Sequence, residues 1–414
     1  MSKRTGVAAG GSATCGPWLL VAALILVGLN LRGPIVGIPP VISEISADLT
    51  LSPAAAGLLT SVPLLCFATL SPVAGALARK VGLDRVILLS LVVIGLGIVL
   101  RPWGGAGVML LGTAAIGCAI TVGNVVVPVI VRRDAGQRTK QVMALSTTSY
   151  TMGATLAAAV TAPLAVLVGW RMAIAGWVVI LVLAVLVWVL RMRQVSTGPD
   201  APGSAAAVSE RSGEEAHSRR RTVWKEPAAW ALAVFFGLQS ALFYTATTWL
   251  PALLVDEAGL SVAGGGTAMS VFQVVGIAGP LSVPLLLRWL GSARSLAVLA
   301  GAGCTMMFVG LLLVPGVWPV WIVVGGFFQG LNLGLALTLV AIRAVDVDYG
   351  RGLSAMAQGV GYAIAAIGPV LIGAVREASP DWSVALSILA AVAVVYGLVG
   401  LWAGSDQLIG KRSV

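Results

Sequence analysis

The sequence Leu29-Asn30-Leu31-Arg32-Gly33-Pro34 lies in the middle of the first long apolar run of the chain, Trp18 to Ile42. On a helix that starts at Trp18, the Cα of Arg32 would stand roughly 21 Å into a bilayer whose apolar core is about 30 Å thick. No other charged residue of the sequence lies so far inside an apolar run. A guanidinium at that depth costs roughly 2.5 to 3.5 kcal/mol on insertion scales, so it indicates a functional role. We expect Arg32 to lie in a polar cavity and to attract an anionic or strongly polar small solute. The alternative is a structural Arg that bonds freed backbone carbonyls.

Pro34 gives a local reason to expect a kink beside Arg32. It has no N–H for the carbonyl of Asn30 four residues earlier, and its ring crowds that carbonyl. Asn30 and Arg32 would point about 200° apart on a straight helix, so both can line one cavity only with a kink or wide solvent access.

The composition is that of a polytopic membrane protein. Of the 414 residues, 58% are hydrophobic and only 10% are charged, and the mean hydropathy is +0.99, which excludes a soluble domain. The net charge of +10 comes from basic residues in short loops and one linker, so it predicts membrane orientation and not nucleic-acid binding. The four cysteines show neither disulfide nor metal spacing, and the single histidine, His217, lies in the linker.

Twelve apolar stretches are long enough to span a bilayer. They cover residues 18–42, 53–78, 85–101, 107–131, 141–168, 172–190, 228–254, 262–287, 295–314, 318–342, 351–375 and 382–403. The sequence therefore predicts an all-α fold with a tail (1–17), a six-helix half (18–193), a linker (194–226), a second six-helix half (227–404) and a second tail (405–414). The first run, at about 25 residues, is too long for a signal-peptide core and is expected to be retained as a span.

The basic residues predict the orientation of the chain. Alternating the loops puts nearly all Lys and Arg on one side, together with both termini and the linker. The positive-inside rule assigns that side to the cytoplasm, so we expect a multi-pass protein of the bacterial plasma membrane. The polar linker, which holds Arg219-Arg220-Arg221, is expected to be mostly disordered.

Internal repeats predict two parallel halves. A shift of 209 residues places Gly28-Leu29-Asn30 on Gly237-Leu238-Gln239, and Arg79-x-x-Gly82-x-x-Arg85 on Arg288-x-x-Gly291-x-x-Arg294. A shift of 212 residues places Tyr150 on Tyr362 and Trp170 on Trp382. The same 209-residue shift puts Ala241 opposite Arg32, so an anion site built on Arg32 would be asymmetric.

Several motifs resemble the major facilitator superfamily, and in particular its bacterial cyanate and 2-nitroimidazole permease branch. They are Asn30-Leu31-Arg32, Leu-Ala-Arg-Lys-x-Gly-Leu-Asp-Arg at 77–85, Gly123-Asn124 with Pro128, and Arg132-Arg133-Asp134. The resemblance implies a twelve-helix transporter that works by alternating access, with its substrate held between the halves near the midplane. One departure is that Arg79 stands where the superfamily's signature has an acid, and the acid comes later, as Asp84.

Polar side chains near the predicted midplane are the candidate substrate contacts, because unpaired amides in lipid are costly. They are Arg32, Asn30, Asn124, Tyr150, Gln239, Tyr244, Gln273, Asn332, Gln358 and Tyr362. The alternative for each is a hydrogen bond between helices. Charged residues on the cytoplasmic face are candidates for a gating latch, with simple membrane anchoring as the alternative. They are Arg79, Asp84, Arg85, Arg133, Asp134, Arg288, Arg294, Arg343 and Asp346.

The source of driving force stays open at this stage. No Asp or Glu falls inside a predicted span, so a proton could travel with an anionic substrate or through Glu44 or Asp134. Facilitated diffusion or exchange is equally compatible. No phosphate-binding loop is present, which argues against ATP, and we expect no cofactor and a monomer.

We therefore predict a transporter of a small anionic or polar solute of the cyanate or nitroimidazole kind. An exporter of lipophilic drugs is the alternative within the same fold, although a central Arg would be unusual there. A membrane-embedded enzyme is a remote alternative, because the clustered carboxylates, histidines or metal ligands that it would need are not seen in the sequence.

Overall fold

A computed structural model describes residues 17–195, 223–345, 347–379, 381–405 and 408–409 of the chain. Nearly all of this part is helical, and twelve segments in it are long and apolar enough to cross a membrane. The predicted all-α fold with twelve spans is therefore confirmed. Residues 196–222 of the linker, and most of both predicted tails, lie outside the described residues, so the expectations for them stay predictions.

We number the spans 1 to 12 in chain order. The first six are built by Pro17–Asn30, Gly33–Val36 and Ile42–Asp48 (span 1), Pro53–Val81 (span 2), Leu83–Leu100 (span 3), Ala106–Asp134 (span 4), Thr139–Val168 (span 5), and Trp170–Ala175 with Val178–Val195 (span 6). The last six are built by Pro227–Ala258 (span 7), Val262–Gly276 with Ala278–Leu290 (span 8), Ala293–Leu313 (span 9), Trp318–Ile342 (span 10), Val347–Ala365 with Ile367–Ala378 (span 11), and Ser383–Ala403 (span 12).

Because successive spans alternate in direction, the bundle has two sides. We call them the linker side, where span 6 ends at Val195 and span 7 begins at Pro227, and the distal side, where span 1 ends and span 2 begins. Spans 2 and 8 start on the distal side with matching caps: Ser52 Oγ accepts a hydrogen bond from the Ala55 N–H (3.3 Å), and Ser261 Oγ accepts one from the Gly264 N–H (3.1 Å). The two serines stand 209 residues apart, as the repeat predicts.

Several helices run past the predicted ends of their apolar stretches. Span 1 continues to Asp48, and span 3 already begins at Leu83. Carboxylates that fall outside the predicted spans therefore lie on the terminal turns of spanning helices, among them Glu44, Asp84 and Asp134. Helices can extend in this way because the polar headgroup layers add about 10 to 15 Å to the apolar thickness.

The two sets of six spans pack tightly on the distal side. Span 2 contacts span 11, and span 5 contacts span 8. A Cβ on Gly57 of span 2 would lie 2.7 Å from the Pro369 carbonyl carbon, and a Cβ on Gly373 of span 11 would lie 2.7 Å from that of Pro53. We call these two backbone contacts the distal closure. On the linker-side parts of spans 2 and 5, polar side chains such as Ser71 and Thr147 are exposed. The tight backbone contacts between the halves thus lie on the distal side, and exposed polar side chains occur on the linker-side parts of spans 2 and 5.

Candidate functional site

Span 1 is interrupted at Arg32. Its first helix ends at Asn30, and the next begins at Gly33, with Pro34 in the first turn. Arg32 caps this second helix with φ −128° and ψ −39°, outside the helical region. The break lies where Pro34 cannot donate to the Asn30 carbonyl. Arg32 is therefore carried on a short irregular segment in the middle of the span.

Neighbouring spans fix the backbone on both sides of this break. A Cβ on Gly153 of span 5 would lie 2.8 Å from the Leu29 Cα, so only glycine allows this approach. Leu31 is only 1% exposed, and the Gly33 backbone packs against the Trp177 ring of span 6. The position of Arg32 is thus determined by contacts within the first half.

The Arg32 guanidinium faces tyrosines. Its Cζ lies 5.9 Å from the centroid of the Tyr244 ring, within the range of a cation–π interaction, and Tyr150 and Tyr362 are close enough to interact with it electrostatically. The side chain is half-buried. Across the described residues, no carboxylate forms an ion pair with Arg32. A cation without a counter-ion therefore lies at mid-span.

Four aromatic side chains near Arg32 come from both halves of the molecule and contact one another. Tyr362 of span 11 packs edge-on against Phe67 of span 2 (centroid distance 5.5 Å), against Phe236 of span 7 (5.6 Å) and against Tyr244 (6.4 Å). We call these four residues the aromatic group. Sequence reasoning missed both phenylalanines, because a Phe in an apolar span gives the same signal as core packing.

Polar side chains of the second half form a separate buried set. Gln239 donates to Ser240 Oγ (2.6 Å), and Asn332 donates to Cys304 Sγ (3.1 Å). Gln273 Nε2 and Asn332 Oδ1 are buried and have no hydrogen-bond partner among the described residues. Gln329 of span 10, which the prediction omitted, is 1% exposed with neither amide atom paired. Its signal was available in the sequence as a further mid-span amide.

The remaining predicted contacts differ in their exposure. Asn30 is fully buried and donates to the Leu26 carbonyl (2.8 Å), while its own side-chain oxygen has no partner. Asn124 is exposed on span 4, and Gln358 donates to Ser354 Oγ (2.9 Å). The structure thus brings Arg32 together with Tyr150, Tyr244 and Tyr362, and among the described residues no hydrogen bond joins Arg32 to the predicted amides.

An ion network joins spans 3, 4 and 6 on the linker side of the first half. Arg191 of span 6, only 1% exposed, bonds both Asp84 of span 3 and Asp134 of span 4. Arg133 bonds the same two acids at 2.7 and 2.6 Å, and the Arg191 guanidinium stacks 4.6 Å from the Trp188 ring centroid. Arg191, which is not among the predicted latch residues, thus pairs with Asp134 from the same half.

The other predicted latch residues do not form a network of this kind. Four of them are exposed and make no ion pair within the described part of the chain: Arg79, Arg85, Arg288 and Arg294. Arg343 is buried and donates to the Ala403 carbonyl (2.6 Å) and to Ser405 Oγ (2.7 Å), so it caps the end of span 12. Asp346 lies outside the described residues.

The distal ends of the two halves carry matching clusters of an acid, a tryptophan and an arginine. They are Asp48, Trp170 and Arg171 in the first half, and Asp256, Trp382 and Arg376 in the second. In each, the indole N–H donates to the carboxylate, at 3.1 and 2.9 Å, and the guanidinium lies 4.5 Å from the indole centroid. The repeat therefore extends to tertiary contacts. Over the described residues, no three His, Cys, Asp or Glu side chains group so as to hold a metal ion.

Three curated proteins are similar to the chain along nearly its whole length. The uncharacterized transporter YycB of Bacillus subtilis (strain 168) is 32% identical over 397 residues, 94% of each chain. The 2-nitroimidazole transporter of Escherichia coli (strain K12) is 31% identical over 392 residues, 94% of this chain and 96% of its own. The cyanate transport protein CynX of the same organism is 28% identical over 368 residues, covering 88% and 91%.

A solved structure agrees with the fold. The nucleoside transporter NupG superposes with a TM-score of 0.71 at 14% identity, over 94% of this chain and 99% of its own. The family model of the Major Facilitator Superfamily matches residues 18–365. The protein is thus a multi-pass membrane transporter of small solutes and not an enzyme, and the chain belongs to the major facilitator superfamily.

Proposed function

We propose that this transporter moves a small, planar, anionic or polar solute, cyanate-like or nitroimidazole-like, across the bacterial plasma membrane by alternating access. The observation that carries the proposal is Arg32. It stands at a break in span 1, has no counter-ion within the described part of the chain, and faces an aromatic group drawn from both halves. The similarity to the 2-nitroimidazole and cyanate transporters supports the same solute class.

The chemistry of the site favours a planar anion. A guanidinium presents a rigid fork of N–H donors that matches a flat acceptor, and its attraction for an anion strengthens away from bulk water. The surrounding rings offer faces and edges against which a flat solute can pack. Because Tyr362 touches Phe67 of the other half, a solute held here would contact both halves at once, as alternating access requires.

One carboxylate is the candidate group for coupling transport to protons. Asp134 is already engaged in ion pairs with Arg133 and Arg191 of its own half. Glu44, on the distal end of span 1, has one buried carboxylate oxygen that finds no hydrogen-bond partner among the described residues. If transport is coupled, we assign the protonatable group to Glu44, with facilitated diffusion or exchange as the uncoupled alternative.

The predicted orientation completes the proposal. The distribution of basic residues supports a cytoplasmic linker side, so the distal closure would face outwards. We also propose that the transporter works as a monomer. Export of lipophilic drugs fits less well, because such compounds would leave Arg32 without a counter-ion.

Uptake of labelled cyanate and 2-nitroimidazole into proteoliposomes tests the function. We expect wild-type protein to transport at least one of them, Arg32→Ala to lose that transport, and Arg32→Lys to keep part of it, because the charge stays and the fork is lost. Arg193→Ala, an exposed arginine on span 6, is the matched control and should transport normally. Unchanged uptake in Arg32→Ala would contradict the assignment of the site.

A further inference from the structure

Two cysteines that are far apart in sequence meet between spans 2 and 4. Cys66 and Cys118 are 52 positions apart, and the Cys118 thiol donates to Cys66 Sγ at a distance of 3.6 Å. Both are free thiols. Cys304, the third cysteine of the described residues, is buried in the other half against Asn332. The dithiol of Cys66 and Cys118 has no part in the transport site proposed above.

The close approach of the two thiols follows from a glycine. A Cβ on Gly117 would lie 2.7 Å from the Pro63 Cα and 3.3 Å from Cys66 Sγ. Because Gly117 has no side chain, the backbones of spans 2 and 4 touch at this level, and the adjacent Cys118 meets Cys66. Any larger residue at this position would push the two thiols apart.

The dithiol is accessible from outside the protein core. Both cysteines are only half-buried. Leu65, the residue before Cys66, is 45% exposed, and Leu111, two turns before Cys118 on span 4, is 73% exposed. The outer surface of spans 2 and 4 near the dithiol is therefore open to small, membrane-permeant reagents.

We propose that Cys66 and Cys118 form an oxidative modification site that closes to an intramolecular disulfide. One thiol ionises, both S–H bonds are lost, and one S–S bond forms. The two protons and two electrons pass to a two-electron oxidant, such as an azodicarboxamide that is reduced to its hydrazine. A disulfide bond is about 2.05 Å long, so the sulfurs, now 3.6 Å apart, need to approach by roughly 1.5 Å.

The modification would join spans 2 and 4 beside the candidate transport site. Cys66 immediately precedes Phe67, whose ring packs against Tyr362 across the interface of the halves. The proposal stands on the geometry of the two thiols and not on the identity of the solute. Its test therefore uses protein chemistry alone, and failure of the proposed transport function would leave it intact.

The experiment treats the full-length protein in lipid vesicles with diamide, blocks remaining thiols with N-ethylmaleimide and maps peptides by mass spectrometry. The starting variant carries Cys15→Ser and Cys304→Ser, which leaves only the dithiol. We expect a peptide from span 2 joined to one from span 4, with the loss of two hydrogen atoms and reversal by dithiothreitol. Adding Cys66→Ser or Cys118→Ser should abolish the joined peptide.

A glycine pair tests the geometric cause. Gly117→Ala should lower the cross-linking yield several-fold, whereas Gly107→Ala on the same helix, where a Cβ meets nothing within 4 Å, should leave it unchanged. If Gly117→Ala does not fold, the yield of the joined peptide in the starting variant still tests the proposal. Two thiols that both remain alkylated after diamide, or links only between separate molecules, would overturn the proposal.

Discussion

The side chain of Gln329 is buried in span 10, and neither of its amide atoms is paired within the part of the chain that the structure describes. A buried polar group without a partner costs about 1 to 3 kcal/mol, so the position is expensive for stability alone. Residues that break a local rule in this way are expected at functional sites. We read the unpaired amide as a group kept available for the solute or for its water.

Replacing Gln329 by methionine separates these two effects. Gln329→Met keeps the shape and removes the unpaired amide, so we expect a higher unfolding temperature in detergent together with slower solute uptake. Gln239→Met is the matched comparison, because that amide already bonds Ser240 and its loss should not raise the unfolding temperature. A Gln329→Met protein that is less stable than wild type would argue against a strained, functional amide.

Glu44 offers a second test at the scale of one residue. Glu44→Gln removes the proton-binding carboxylate with little change in volume, so uptake driven by a pH gradient should fall while solute exchange without a gradient persists. Glu257→Gln, an exposed acid at the distal end of span 7, should affect neither. Equal loss of driven uptake and exchange would point to a structural role of Glu44 instead of coupling.

At the scale of elements, the ion network holds spans 3, 4 and 6 together on the linker side. Arg191 is its centre, because it is 1% exposed and bonds both acids, whose side chains are 19% and 21% exposed. Removing one partner of a buried pair leaves uncompensated charge. Stability in this region therefore depends on an arginine that sequence reasoning placed outside the membrane.

Substituting Arg191 measures this dependence. We expect Arg191→Met to destabilise the protein by about 3 kcal/mol, the lower end of the range for buried pairs, since the acids keep some access to water. The readout is the shift of the unfolding transition in detergent. Arg193→Met, two residues further on the same helix and exposed, should shift it little. Similar shifts in both variants would mean that the network contributes no specific stabilisation.

At the scale of the whole molecule, the distal closure depends on two glycines, whose backbones carry no side chain. Gly57 and Gly373 allow spans 2 and 11 to touch where any side chain would collide with a carbonyl carbon at 2.7 Å. Alternating access requires this contact to form and to break in each cycle. A residue too large for the contact should hold the halves apart on that side.

Gly57→Val tests the closure. We expect it to abolish uptake and to make a cysteine introduced at Asn124 reactive towards a membrane-impermeant thiol reagent added from the distal side. Gly75→Val is the matched control, because a Cβ there meets only the Arg79 guanidinium, at 3.7 Å. Wild-type uptake in Gly57→Val would show that the contact is not part of the cycle.

The twelve spans could be predicted from the sequence because lipid demands long apolar helices. Contacts between helices were much harder to predict. Phe67 and Phe236 resemble core residues in sequence, and the role of Arg191 depends on three helices that meet only in the fold. The meeting of Cys66 and Cys118 depends on the bare backbone of Gly117, which has no sequence signature of its own.

Arg32 has no counter-ion among the residues that the structure describes, and under the proposed function this affects how the membrane potential acts on transport. Moving one elementary charge through the whole membrane potential changes the energy by about 2.3 kcal/mol per 100 mV. A bound monovalent anion of the proposed kind would offset the charge of Arg32, so the membrane potential would act less on the reorientation of the loaded protein. The empty protein would keep this positive charge, and the potential would then speed or slow its return. Under the proposed function, the electrical signal of transport belongs to the half-cycle in which no solute is carried.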